Sequence, residues 1–201
     1  STFGVGELLL TALDQGAEKA LLLLGGSATN DGGAGMLQAL GARFLDQHGE
    51  PLPPGGAALN QLASLELDGL DPRLAKFSLE AAVDVDNPLL GERGASAVFG
   101  PQKGASPEEV EQLDRALGHF ADISTHALSD DYRMLPGVGA AGGMGFAAKA
   151  FLNATLKPGI EMIMQQELKI ELSAEDAEKI ITDYIENQME QNGYKLEYSR
   201  N

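Results

Sequence analysis

Between Gly25 and Gly33 the chain reads Gly-Gly-Ser-Ala-Thr-Asn-Asp-Gly-Gly, which puts two hydroxyls, an amide and a carboxylate on a backbone free to turn tightly. A short apolar stretch precedes it, and Met36, Leu37 and Leu40 follow at helical spacing. In that order, backbone N–H groups and a helix N-terminus can meet an anion, with Ser27, Thr29 and Asn30 as side-chain donors. Asp31 would repel a bare phosphate. Three roles fit it: holding Mg2+, acting as a base toward a hydroxyl, or capping the helix that follows. No Gly-Lys-Ser/Thr comes after the glycines, so this is not a Walker A loop. The plain alternative is a tight turn with a capped helix.

Two further places carry polar chemistry. Asp84, Asp86 and Asn87 follow an expected strand, Phe77 to Asp84, at the end where open α/β sheets bind ligands, so a metal or hydroxyl-binding role stands beside a simple Asp-Asn-Pro turn. In Phe99-Gly100-Pro101-Gln102-Lys103-Gly104-Ala105-Ser106, Lys103 offers a cation just ahead of a helix N-terminus, suited to a phosphate or carboxylate, or else is a solvated loop lysine. Gly137 to Gly145 either brings backbone close to a ligand or packs closely on itself. No metal site is read from the histidines: His119 and His126 lie two turns apart on one helix and His48 sits in a loop.

These residues must be positioned by an alternation of helices and strands. Gly4 to Asp14 carries Val5, Leu8, Leu9 and Ala12 on one helical face and ends at Gly16. Leu21 to Leu24 reads as a buried strand, Arg43 to Asp46 as another, and Pro51 to Gly56 as a loop. Ser106-Pro107-Glu108-Glu109 is a capping box with proline at the first helical position, opening a helix with Val110, Leu113, Leu117 and Phe120 on its apolar face. Phe146 to Leu152 is expected to be helical.

The composition excludes several classes. In 201 residues there is no cysteine, hence no disulfide framework, thiolate metal site or cysteine nucleophile. A formal charge of −16 opposes phosphate backbones and anionic lipid, so neither nucleic acid nor a membrane surface is an expected partner. The longest apolar side-chain run, Ala20 to Leu24, is far below the roughly 20 residues of a membrane span. A cytoplasmic location is expected. Texture changes after Gln166: the last 35 residues hold one glycine, Gly193, and no proline. The expected organisation is therefore an α/β domain over residues 1–166 and a small β-α-β module over residues 167–201. In the latter, Lys169 to Leu172 and Tyr194 to Tyr198 read as strands about a helix capped by Ser173. So small a unit must pack on the larger domain or on a second chain, which leaves open a homo-oligomer formed through residues 167–201.

Five segments in order carry a resemblance: Ser1-Thr2-Phe3-Gly4-Val5-Gly6-Glu7-Leu8, Gly25 to Gly35, Asp84-Val85-Asp86-Asn87-Pro88-Leu89, Phe99 to Ala105, and Gly139 to Gly145. Over about residues 1–161 the chain resembles the inserted second domain of bacterial type I glycerate kinases. The resemblance implies ATP-dependent phosphorylation of D-glycerate with Mg2+ in a cleft between two α/β domains, with glycerate and ATP as small-molecule partners. By position it assigns Asp31 as the catalytic candidate. Ser27, Thr29, Asn30, Asp84, Asn87, Gln102 and Lys103 become the substrate-binding candidates, with Asp84 and Asn87 toward glycerate or Mg2+ and Gln102 and Lys103 toward anions. The family's lysine-bearing first loop, its Ala-Asp-Gly-Gly-Glu-Gly motif and its Gly-Glu-Gly-Arg-x-Asp segment are not in this sequence. The expectation is a kinase-derived domain, truncated or chimeric, whose own turnover is in question. The rival expectation is a noncatalytic scaffold that assembles through its C-terminal module.

Overall fold

The computed structural model describes residues 1–159. The expected module over residues 167–201, with the boundary after Gln166, lies outside the described residues. Helix α1 (Phe3–Asp14) leads to strand β1 (Lys19–Leu23), then α2 (Ala34–Ala39) and β2 (Arg43–Leu45). Strands β3 (Ser64–Glu66) and β4 (Ser78–Ala82) follow. After them come α3 (Ala95–Phe99), α4 (Pro107–Leu128), α5 (Ala140–Leu152) and β5 (Thr155–Lys157). Short 3-10 segments lie at Gly56–Gln61, Pro72–Lys76 and Pro101–Lys103.

The first sheet has the order β1-β4-β5 with both pairs parallel, in register from Lys19 against Ser78 and from Glu80 against Thr155. The crossovers that parallel pairing demands are the helical segments between these strands. Strands β2 and β3 form a separate antiparallel pair, Arg43 against Glu66. Among the described residues no helix is long and apolar enough to cross a membrane.

Helix α4 starts where the sequence says it must. The Glu109 N–H donates to Ser106 Oγ at 3.2 Å and the Ser106 N–H donates to Glu109 Oε2 at 2.7 Å, a complete capping box with Pro107 at the first helical position. Its buried face is Ala116, Leu117, Phe120, Ala121 and Ser124, so the expected stripe is right in its centre and shifted along the helix. Phe120 is the hub of the core. Its ring centroid lies 5.4 Å from Phe44, 5.5 Å from Phe146 and 5.9 Å from Phe151, each within range of a favourable aromatic pair.

Two expectations need correction. Helix α1 buries Gly6, Leu9 and Leu13 and leaves Leu8 71% exposed, because Gly6 lets its backbone approach Met36 and Ala39 of α2 too closely for any Cβ. Close approach, rather than the apolar stripe, sets the rotation. Strand β1 is also not buried on both faces: Leu23 is 75% exposed and Leu21 shares that open face, which β4 and β5 line with Glu80 and Lys157. Lys19 Nζ pairs with Glu80 at 2.9 Å there, so the face is part polar, which an apolar run alone could not disclose.

Candidate ligand site

The site forms beyond the carboxyl ends of β1 and β4. The chain leaves β1 through Leu24 into the Gly25–Gly33 loop, while β4 opens into Val83–Leu89. A third segment clasps the two together. Helix α5 begins with a left-handed turn, Ala141, Gly142 and Gly143 having φ of 53, 69 and 88°. At Gly142 a side chain would run into the Thr29 carbonyl oxygen, and the Gly142 carbonyl accepts from the Gly32 N–H at 3.0 Å. On its other side the Gly139 N–H donates to the Asn87 carbonyl at 2.9 Å. Of the two readings of Gly137 to Gly145, the contacts give close packing of backbone on backbone.

Lys103 reaches this loop from the turn Pro101–Lys103. Its Nζ donates to Ser27 Oγ at 2.8 Å and to the Thr29 carbonyl at 2.7 Å, leaving its third N–H for another acceptor. It is therefore not a solvated loop lysine. Burial pushes its ammonium below the usual lysine range, against the opposing pull of the nearby Asp31 charge. Asn30 donates from Nδ2 to Ser96 Oγ at 2.8 Å, which ties the loop to α3. Asn30 Oδ1 and Thr29 Oγ1 are buried without a hydrogen-bond partner. Such atoms cost free energy unless something fills the gap. A pocket of about 360 Å³ opens here, walled by Thr29, Asn30, Asp31, Lys103, Gly55 and Gln112 among others.

Asp31 is 2% exposed and already occupied. Its Oδ2 accepts from the Thr2 N–H at 2.8 Å, both its oxygens lie 3.1 Å from Thr2 Oγ1, and Oδ1 accepts from the Gly33 N–H at 3.1 Å. The bond to Gly33, two residues on, is an Asx turn. These contacts hold the carboxylate within the loop and against Thr2; it does not cap α2, whose N-cap is Gly33 with no side-chain capping bond.

Ser27, Thr29, Asn30, Asp31 and Lys103 thus converge. The other candidates do not join them at this pocket. Gln102 is exposed on its turn and outside the pocket wall. Asp84 and Asn87 line a second pocket of about 760 Å³ with Asp86, Pro136, Gly137, Lys157 and Pro158. There Asp84 accepts from the Gly159 N–H at 2.8 Å, Asn87 donates to the Arg93 carbonyl at 2.7 Å, and Asp86 pairs with Arg93 at 2.9 Å. The start of α5 touches the loops of both pockets, Gly142 at Thr29 and Gly32 and Gly139 at the Asn87 carbonyl. Sequence reasoning missed Gly55, Gly56 and Ala57 as pocket wall. Gly56 packs on the Asn30 carbonyl too tightly for a side chain, and a Pro-Pro-Gly-Gly run is the signal that marks such a wall.

Fold and site together define an α/β domain with polar loops gathered at the carboxyl ends of a parallel sheet, where such folds take small ligands. The glycerate kinase family model matches residues 1–186. A glycerate kinase of Bacillus subtilis strain 168 is 51% identical over 182 residues, covering 90% of this chain and 47% of the relative. A glycerate 2-kinase of Escherichia coli K12 is 50% identical over 179 residues, 89% of this chain and 47% of that one. The crystal structure of a glycerate kinase 2 from Salmonella typhimurium LT2 superposes with a TM-score of 0.80 at 53% identity, over 82% of this chain and 44% of that chain. The chain belongs to the glycerate kinase family. It spans about half the length of the curated relatives it matches, and the family match runs to residue 186, past the textural boundary at Gln166.

Proposed function

We propose that this chain forms the glycerate-binding wall of an ATP-dependent glycerate phosphotransferase, with the pocket beside Lys103 as its substrate site. One observation carries the reading: a lysine with an N–H to spare faces a pocket in which Thr29 Oγ1 and Asn30 Oδ1 are buried without partners. A ligand that satisfies all three must offer anionic or hydroxyl oxygens to the Lys103 ammonium and the Thr29 hydroxyl and a hydroxyl donor to Asn30 Oδ1. A small hydroxy acid such as glycerate has both within one molecule. Lys103 binds the anion, Thr29 and Asn30 orient the hydroxyls, and Ser27 holds the lysine in place. Asp31 is assigned to the same centre as the buried carboxylate that keeps the loop shaped and the Lys103 ammonium charged.

ATP and Mg2+ belong to the same proposal. Asp84 and Asn87 offer hard oxygen donors beside an open pocket, which fits a Mg2+ that keeps most of its waters and is held through substrate phosphates. Bound there, the ion would supply neutralisation of phosphate charge. Phosphoryl transfer depends on positioning and charge stabilisation from several groups, so this wall acts with the cleft's remaining residues.

Calorimetric titration with D-glycerate tests the site. Lys103→Gln should weaken binding by at least about tenfold, since a hydrogen bond to a charged group contributes roughly 1.5–3 kcal/mol. Equal affinity in the two proteins removes Lys103 from the site. ADP release from Mg-ATP, with and without D-glycerate, then separates a binding wall from a chain that turns over.

A further inference from the structure

We propose that Thr2 is a positioning residue for the ligand loop: its hydroxyl locks the Asp31 carboxylate to the first turn of α2 and so sets how the loop faces Lys103. The inference rests on the ligand site proposed above and adds a residue from outside its pocket.

Thr2 stands at the N-cap of α1, where a threonine ordinarily bonds its own helix. Here it does not. It makes no capping bond within α1, and its side chain turns to residues 29 and more positions away. The hydroxyl donates toward Asp31, 3.1 Å from both carboxylate oxygens, and accepts from the Met36 N–H at 2.9 Å. The backbone N–H of Thr2 adds the 2.8 Å bond to Asp31 Oδ2. One side chain, 2% exposed, thus satisfies a first-turn amide of α2 and a buried carboxylate at once. A local rule surrendered in this way marks a residue placed for a distant purpose.

The mount is stiff. Gly35 lies so close to Ser1, Thr2 and Phe3 that a Cβ on it would strike them, and Gly6 sits as tightly on Met36. Helix α1 cannot slide on α2 without breaking these contacts. The geometry passes from α1 through Thr2 to Asp31, from Asp31 to the Gly33 N–H, and along the loop to Thr29, whose carbonyl holds Lys103. Asp31 also faces the Lys103 charge. Removing the hydroxyl takes one donor from the carboxylate and leaves more of its charge for the lysine.

The test compares Thr2→Val, of the same shape without the hydroxyl, and Thr2→Ser in the 201-residue chain. Lysine Cε resonances, with Lys103 assigned through Lys103→Arg, give its titration midpoint, and calorimetry gives D-glycerate affinity. The Val variant should titrate Lys103 at least half a pH unit higher and bind D-glycerate about tenfold more weakly, with Ser within about twofold of wild type. A folded Val variant with an unchanged midpoint overturns the inference. If the Val variant does not fold, the Met36 amide of the wild type decides: exchange at the solvent rate overturns the inference, whereas protection equal to that of Leu40 together with an unmoved Thr2→Ser midpoint supports it. A wild-type chain that does not bind D-glycerate defeats the proposed function, while the Lys103 midpoints still decide the role of Thr2.

Discussion

Replacing Gly142 by alanine isolates the contact of α5 with the Gly25–Gly33 loop. Gly142 has φ of 69° and Gly16 has φ of 82°, so alanine meets the same left-handed strain at both, about 1–2 kcal/mol. Alanine also stiffens the unfolded chain equally at the two positions, and that contribution cancels in the comparison. The surroundings differ. A Cβ at Gly16 meets nothing within 4 Å, whereas at Gly142 it overlaps the Thr29 carbonyl oxygen and lies 2.7 Å from the carbonyl carbon and 2.8 Å from Asn30 Cα. All three are backbone atoms, so no side chain can swing aside and the loop itself must move. Overpacking of that kind costs roughly 1–3 kcal/mol beyond the strain. Urea unfolding should therefore show Gly142→Ala less stable than Gly16→Ala by that margin. D-glycerate affinity should fall in Gly142→Ala and stay unchanged in Gly16→Ala. Equal stabilities would show that the clasp yields freely, and the account of the turn as a rigid joint would be wrong.

Truncating the aromatic hub, Phe120→Ala, removes a side chain with no exposed surface and three ring neighbours, and should cost about 3–5 kcal/mol by urea unfolding. A loss below about 1 kcal/mol would mean that the core closes over the gap. Acid should destabilise the fold through surface and half-buried carboxylates whose charged forms are favoured: Asp71 by its bond from Arg73, Glu80 by Lys19, Asp46 by the Glu50 N–H and Asp131 by the Arg133 N–H. Their folded values lie below the unfolded ones, so their contribution is complete above about pH 4–5 and is lost as pH falls through the folded values. Asp114 runs the other way, because burial raises it and protonation relieves its penalty first. The urea midpoint should hold from pH 7 to about 5 and drop steeply below 4. A midpoint flat down to pH 3 contradicts these pairings.

How much the sequence disclosed follows the range of each interaction. The capping box from Ser106 to Glu109 spans four residues, and it reads correctly because both its bonds are local. Strands β3 and β5 are three residues each, too short to leave a periodic trace, and they exist through pairing with distant partners. The rotation of α1 was hidden because Gly6 has no hydropathy to register, yet it decides which face can approach α2. At the site, Ser27, Thr29 and Asn30 were visible as residue types. Their union with Lys103 was not, because it spans more than 70 residues and depends on how α4 docks. The occupied carboxylate of Asp31 was equally hidden: an acidic residue in a glycine loop looks the same whether it awaits a ligand or already serves Thr2.

The left-handed turn at the start of α5 also bears on how such a site can diversify. Because Gly142 and Gly139 at the start of α5 grip the loop at Thr29 and Gly32 on one side and the loop at Asn87 on the other through backbone atoms, a residue inserted in either loop would spring the joint. The one side chain of these loops that presses on the turn is Leu89, against Gly143. New ligand preferences can therefore arise by exchanging Ser27, Thr29 or Asn87 one at a time, while the lengths of the loops stay frozen.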